Sequence, residues 1–160
     1  MDISEITDYL YVGGQPKAAD APRLEALGVR LIISLRALRN PTQKFTAPAV
    51  AVLWLRTVDS PVTPIPTPTF VRGVEAALDV IRQGGRVFVH CKHGRHRSVA
   101  MAACILIAMG DTAETAMQRL RQGRRRADPH IWYIRRQIER FERYWRKQRP
   151  GGEQPAAVHG

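Results

Sequence analysis

The chain has 160 residues, 44% hydrophobic and 24% charged, with 25 Lys and Arg against 14 Asp and Glu, a formal net charge of +11. That length and balance fit one globular domain burying about 70% of its unfolded surface, and they exclude a disordered chain. Two cysteines, Cys91 and Cys104, are too few for a disulfide framework or a four-cysteine metal site.

In chain order, Ile6 to Val12 alternate loosely and end at Gly13-Gly14, which predicts a short strand and a turn. Residues 20–27 read as a short helix capped by Asp20 and stopped by Gly28. Arg30 to Leu35 and Val50 to Leu55 are short apolar runs and predict buried strands. Four prolines between Ser60 and Pro68 require an extended loop. Helix resumes at Thr69 or Phe70, with Val71, Val74, Ala77, Leu78 and Ile81 in one stripe, and stops at Gly84-Gly85.

Arg86 to His90 predicts a third strand of the sheet interior. Ser98 to Met109 is apolar all round, as a central buried helix should be. Asp111 with Glu114 reads as the cap of a further helix reaching Gln122. Asp128-Pro129 reads as cap and first turn of a long helix to Arg146, with Ile131, Ile134, Ile138, Phe141 and Trp145 along one side. Alternating strands and helices predict one α/β domain over residues 1–148, a mostly parallel central sheet flanked by helices, followed by a tail, 149–160, expected to be disordered. The N-terminus lacks a signal peptide's basic start and apolar run, and Val99 to Met109 is too short to span a bilayer. A cytoplasmic, monomeric protein is expected.

In such sheets the ligand site lies beyond the carboxyl ends of the strands. That selects the loops after Leu35, Leu55 and His90. The last reads His90-Cys91-Lys92-His93-Gly94-Arg95-His96-Arg97-Ser98, strand to buried helix. Its backbone N–H groups, with the helix N-terminus, form a cradle for an anion and lower the pKa of a thiol at its centre. Arg97 can grip a dianion through two parallel hydrogen bonds, and Ser98 can donate to the sulfur. Gly94 supplies a torsion other residues resist.

His-Cys, five residues, Arg and Ser, between a strand and a buried helix, resembles the signature of the cysteine-dependent protein tyrosine phosphatases. The short loops are similar to the dual-specificity branch, over residues 5–145. The resemblance implies the fold and a phosphatase with Cys91 as nucleophile and Arg97 binding phosphate. Ser98 would ease departure of the sulfur, Lys92 to His96 would form the loop, and His90 would orient it. It also implies a general acid, and Asp59, 32 residues before Cys91 on the same sheet edge, holds that place. The family often follows this aspartate with an apolar or aromatic contact, whereas here Ser60-Pro61 follow, so loop closure is expected to differ. His93 and His96 are expected to point outward. Neither metal nor organic cofactor is required. Cys104 reads as a buried small hydrophobe.

Substrate choice stays open. A phosphoprotein, carrying phosphotyrosine and also phosphoserine or phosphothreonine, is the first reading. Lys92 and Arg95 stand where phosphoinositide phosphatases carry lysines, and His93-Gly94 is similar to RNA 5′-triphosphatases, so an inositide or RNA-end substrate is the alternative. A membrane surface would matter only for an inositide. A phosphate-binding pseudoenzyme is a third reading. Arg36 and Arg39, after the second strand, are candidate substrate contacts or solvated loop residues. Residues 119–149 carry 12 basic and 3 acidic side chains. They fit a solvated helix face or an anionic partner, but no motif or stacking aromatics favour nucleic acid.

Overall fold

The computed structural model describes residues 1–38 and 48–149. Five strands form one sheet in the order β1-β2-β5-β3-β4. They are β1 (Ile3–Thr7), β2 (Leu10–Gly13), β3 (Val29–Ser34), β4 (Ala51–Trp54) and β5 (Arg86–His90). β2, β5, β3 and β4 run parallel, and β1 is antiparallel at the edge. The single strand expected over Ile6 to Val12 is instead a hairpin, turning at Asp8-Tyr9 with Thr7 opposite Leu10. Gly13 belongs to β2 and pairs with His90.

Side-chain alternation sorts the sheet into two layers. Val87 and Val89 of β5 join the larger core under helices α2 (Thr67–Arg82), α3 (Arg97–Ala108), α4 (Ala113–Gly123) and α5 (Trp132–Gln148). Phe88 faces the other way, toward α1 (Ala21–Ala26), with Tyr11, Leu24 and Ile32. α3 is the central helix, and all twelve of its residues are buried. Each fully buried aliphatic side chain there stabilises the fold by about 2 kcal/mol.

Four helix starts differ from expectation. Asp20 occupies the cap position of α1 without capping it; its carboxylate instead accepts from the Lys17 N–H at 2.7 Å and closes the preceding 3₁₀ turn. The cap of α4 is Thr112, whose hydroxyl accepts from the Thr115 N–H at 3.1 Å, while Asp111 pairs with Arg119. α5 begins at Trp132, so Asp128-Pro129 form the turn before it. α2 starts at Thr67, with Pro68 in its first turn, where a missing N–H costs nothing. The expected tail, beyond Arg149, and Arg39 lie outside the described residues. Among the described residues no helix is long and apolar enough to cross a membrane.

Candidate active site

The loops after β3, β4 and β5 meet at one edge of the sheet, and Cys91 is the first residue beyond β5. Its side chain is buried, and its Sγ lies 3.3 Å from the Gly94 N and 3.3 Å from the Ser98 Oγ. Burial alone would push the thiol up. The Ser98 hydroxyl and the N–H groups of Ser98, Arg95 and Gly94 outweigh it and hold the thiol below its ordinary range. Gly94 has φ +63°, and a Cβ there would stand 2.5 Å from the Gly13 carbonyl, so this turn of the loop requires glycine.

Arg97, the first residue of α3, is 9% exposed. Its Nη1 donates to the carbonyls of Leu35 (2.8 Å) and Thr57 (2.9 Å), which follow β3 and β4. Two neighbouring loops thus fix the guanidinium. Its Nε is buried with no hydrogen-bond partner among the described residues. A buried donor left open costs roughly 1–3 kcal/mol, and an anion over the loop would satisfy it.

His90 is buried and stacked on Phe88, with ring centroids 5.7 Å apart. Burial is the main cause that lowers its pKa to about 4, so it is neutral at pH 7. Its Nδ1 lies 3.3 Å from the Cys91 carbonyl oxygen. The side chains of Lys92, His93 and Arg95 are exposed. Arg95 lies 3.8 Å from the Asp128 carboxylate. Arg36 is half-buried after β3, and its charge helps lower His90. Its carbonyl accepts from the Trp54 indole at 2.7 Å.

Asp59 reaches the same edge from the loop after β4. One carboxylate oxygen lies 2.8 Å from His96 Nδ1, and the other accepts from the Tyr133 hydroxyl at 2.9 Å. His96 therefore does not point outward: its side chain is 15% exposed, enclosed between Asp59, Asp128 and the edge of the Tyr133 ring. Partial burial and then the Asp59 hydrogen bond push the Tyr133 hydroxyl up to about 12, so it remains a donor throughout the ordinary pH range. Gln137 ties this face together, accepting from the Ile65 N–H at 3.1 Å and donating to the Tyr133 carbonyl at 3.0 Å. Tyr133 and Gln137 lie on the inner side of α5, one turn apart. Sequence periodicity marks that side only as core.

Arg124 is a further residue that sequence reasoning missed. It follows α4, is 4% exposed, and sits behind the Cys91 loop. It donates to the carbonyls of Gly94 (2.7 Å) and His93 (2.9 Å), to both oxygens of Asp2 (2.8 Å each), and to Ser4 Oγ (3.1 Å). By fixing those two carbonyls on the outside, it turns the amides that follow them, of Gly94 and Arg95, toward the sulfur. Cys104, fully buried in α3, has its thiol pushed up by burial and takes no part. Among the described residues no three His, Cys, Asp or Glu come together as metal ligands would.

The family described as "Dual specificity phosphatase, catalytic domain" matches residues 10–143. Dual specificity phosphatase 28 of Mus musculus is 28% identical over 143 residues, covering 87% of this chain and 83% of that protein. Protein-tyrosine-phosphatase MKP1 of Arabidopsis thaliana is 30% identical over 133 residues, 82% of this chain but only 17% of that protein. "Phosphatidylglycerophosphatase and protein-tyrosine phosphatase 1" of Homo sapiens is 44% identical over 73 residues, 45% of this chain and 35% of that protein. Human DUSP28 superposes with a TM-score of 0.80 at 23% identity, over 91% of this chain and 96% of that one. The structure of PTPMT1 in complex with PI(5)P superposes at 0.81 and 24% identity, over 92% and 99%. Family match, sheet order and loop agree: the chain belongs to the dual-specificity phosphatases of the cysteine-dependent protein tyrosine phosphatase superfamily.

Proposed function

We propose that the chain hydrolyses phosphomonoesters through a phosphocysteine intermediate, with phosphotyrosine, phosphoserine and phosphothreonine in proteins as its substrates. One observation carries the reading: one loop holds a buried thiol 3.3 Å from the Gly94 N and the Ser98 Oγ, and a buried arginine, Arg97, whose Nε has no partner among the described residues. The loop amides and Arg97 bind the phosphate dianion, and the Cys91 thiolate attacks phosphorus in line. The P–O bond breaks as the P–S bond forms, and Asp59 gives the leaving oxygen its proton. Asp59, now a carboxylate, takes a proton from water that attacks the phosphocysteine, and the sulfur leaves as a thiolate stabilised by the Ser98 hydroxyl. His96 and Tyr133 are positioning residues that hold Asp59 at the rim. His90 orients the Cys91 carbonyl. A cytoplasmic location and a monomeric state belong to the same reading.

A lipid phosphomonoester is the second reading. It is favoured by the 44% identity over 73 residues to a protein whose name includes phosphatidylglycerophosphatase. A panel at fixed pH separates the two: phosphotyrosine, phosphoserine and phosphothreonine peptides, soluble inositol phosphates, phosphatidylglycerophosphate, phosphoinositides in vesicles and RNA 5′-triphosphate. A kcat/KM for phosphopeptides at least tenfold above every lipid supports the first reading, and the reverse order supports the second. No turnover of any member refutes both.

A further inference from the structure

Ser34 and His90 are the last paired residues of β3 and β5. The strands stay joined one step further, where the Leu35 N–H donates to the His90 carbonyl at 2.9 Å. The residue after His90 is Cys91. The residue after Ser34 is Leu35, whose carbonyl holds Arg97. The pair therefore sits at the foot of both parts of the site.

The two side chains share a face of the sheet. Each stands two residues beyond a member of the α1-side cluster, Ile32 and Phe88, and strand side chains repeat every second residue. On its other side His90 pairs with Gly13, which offers no side chain, so Ser34 is the polar neighbour level with it, on a strand about 4.8 Å away. Ser34 is 0% exposed and His90 1%. Yet Ser34 Oγ and His90 Nε2 have no hydrogen-bond partner among the described residues. Buried polar atoms are nearly always paired, so two orphans in register mark one small polar pocket in an apolar layer.

The tautomer of His90 follows from its other nitrogen. The ring is neutral at pH 7. Nδ1 lies 3.3 Å from the Cys91 carbonyl oxygen, which only accepts, so Nδ1 carries the proton. Nε2 then presents a lone pair that needs a donor. No direct bond joins it to Ser34, but one water meets both needs, accepting from the hydroxyl and donating to Nε2.

We infer that Ser34 is a positioning residue: through one buried water it holds His90 in the tautomer that donates to the Cys91 carbonyl. The inference rests on the proposed role of Cys91. Without the hydroxyl, the proton is free to move to Nε2, and Nδ1 turns a lone pair on that carbonyl. The carbonyl shares a rigid peptide plane with the Lys92 N–H, so the start of the loop moves with it.

Nitrogen NMR of the full chain, labelled at histidine, reads the tautomer without turnover, with His90 assigned by its loss in His90→Asn. We expect the Nδ1–H form in the wild type and in Ser34→Thr, and mixed tautomers in Ser34→Ala and Ser34→Val. In those two the ultraviolet titration of the Cys91 thiolate should show acidity weakened about threefold. Turnover of a phosphomonoester should fall about fivefold in kcat with KM nearly unchanged, and Ser34→Thr should restore it. An asparagine at position 90 still donates to the Cys91 carbonyl but has no Nε2. On the His90→Asn background, Ser34→Ala should therefore add nothing to either effect.

A pure Nδ1–H tautomer and an unmoved thiol titration in Ser34→Ala overturn the inference. So does an equal further loss from Ser34→Ala on the His90→Asn background, which would mean packing alone. A crystal structure in which Ser34 Oγ and His90 Nε2 bind separate partners also overturns it. If tautomer and thiol respond as expected while the wild type turns over no phosphomonoester, the positioning stands and the activity at Cys91 falls.

Discussion

A carboxylate oxygen of Asp59 and Nδ1 of His96 stand 2.8 Å apart across 37 residues of sequence, and the Tyr133 hydroxyl closes the cluster from α5. An exposed loop aspartate would otherwise sample many rotamers, and the two partners narrow them before substrate arrives. Tyr133→Phe removes one exposed hydrogen bond to the Asp59 carboxyl group, worth about 1 kcal/mol, or roughly fivefold in rate. We expect kcat to fall by that factor for alkyl phosphates, whose leaving oxygen needs the proton. An aryl ester with an acidic phenol should be little affected. Because Tyr133 is pushed up to about 12, the deficit should be constant between pH 5 and 9. A deficit equal for both esters would assign Tyr133 a structural role only.

Asp59→Asn should abolish the basic limb of the kcat/KM profile and preserve activity best on the aryl ester. If Asp59→Asn shows both effects while His96→Asn behaves as wild type, Asp59 is the acid but needs no help from His96. An unchanged profile in Asp59→Asn would place the acid elsewhere.

Cys91→Ser should eliminate turnover and retain vanadate or phosphate binding, measured by calorimetry. In the wild type, the acidic limb of kcat/KM should lie below the ordinary thiol range. Activity falls with acid as the thiolate is protonated, and the bonds from Ser98, Arg95 and Gly94 favour the thiolate. Ser98→Ala removes the first-named of these bonds. It should move that limb to higher pH and slow the second chemical step, so that phosphoenzyme accumulates as a burst in stopped flow. A unimodal progress curve with an unshifted limb would detach Ser98 from the sulfur.

Arg124→Met leaves two loop carbonyls and the Asp2 carboxylate without their cation. A loss of about 3 kcal/mol in denaturant unfolding is expected, with a larger loss of kcat than of phosphate affinity. Asp2 adds a pH signature. The Arg124 hydrogen bond, chiefly, lowers its folded-state pKa below the usual carboxylate value of 3.8. Its contribution is therefore full above that value and fades as pH falls through the folded pKa. Asp2→Asn should flatten acid unfolding in that window only.

Most of the architecture was readable from short-range pattern. The apolar run from Val99 to Met109 announced α3, and His90-Cys91 to Arg97-Ser98 announced the loop. The errors came where the pattern ran through a boundary. Ile6 to Val12 keep their alternation across the Asp8-Tyr9 turn, which concealed β1. Asp111 and Thr112 are both good caps, and only the fold shows which hydroxyl or carboxylate meets an N–H. Asp59 reaches the edge of the sheet on which its place after the Val50–Leu55 run put it. The contact of His96 with Asp59, and the roles of Tyr133 and Arg124, were not found, because they are made by contacts 37, 74 and 122 residues away. In the sequence alone, His96 is one more loop cation and Arg124 is one of three consecutive arginines.

The contact between Arg124 and Asp2 has a kinetic meaning as well. Closing a contact over 122 residues is among the last entropic costs a folding chain meets, and in this protein that contact braces the amides around Cys91. Catalytic competence should therefore arrive late on the folding pathway. During refolding from urea, the burial of Trp145 between α5 and the core would precede the return of activity. The interval between the two signals would report the moment at which the chain's second residue docks behind the loop.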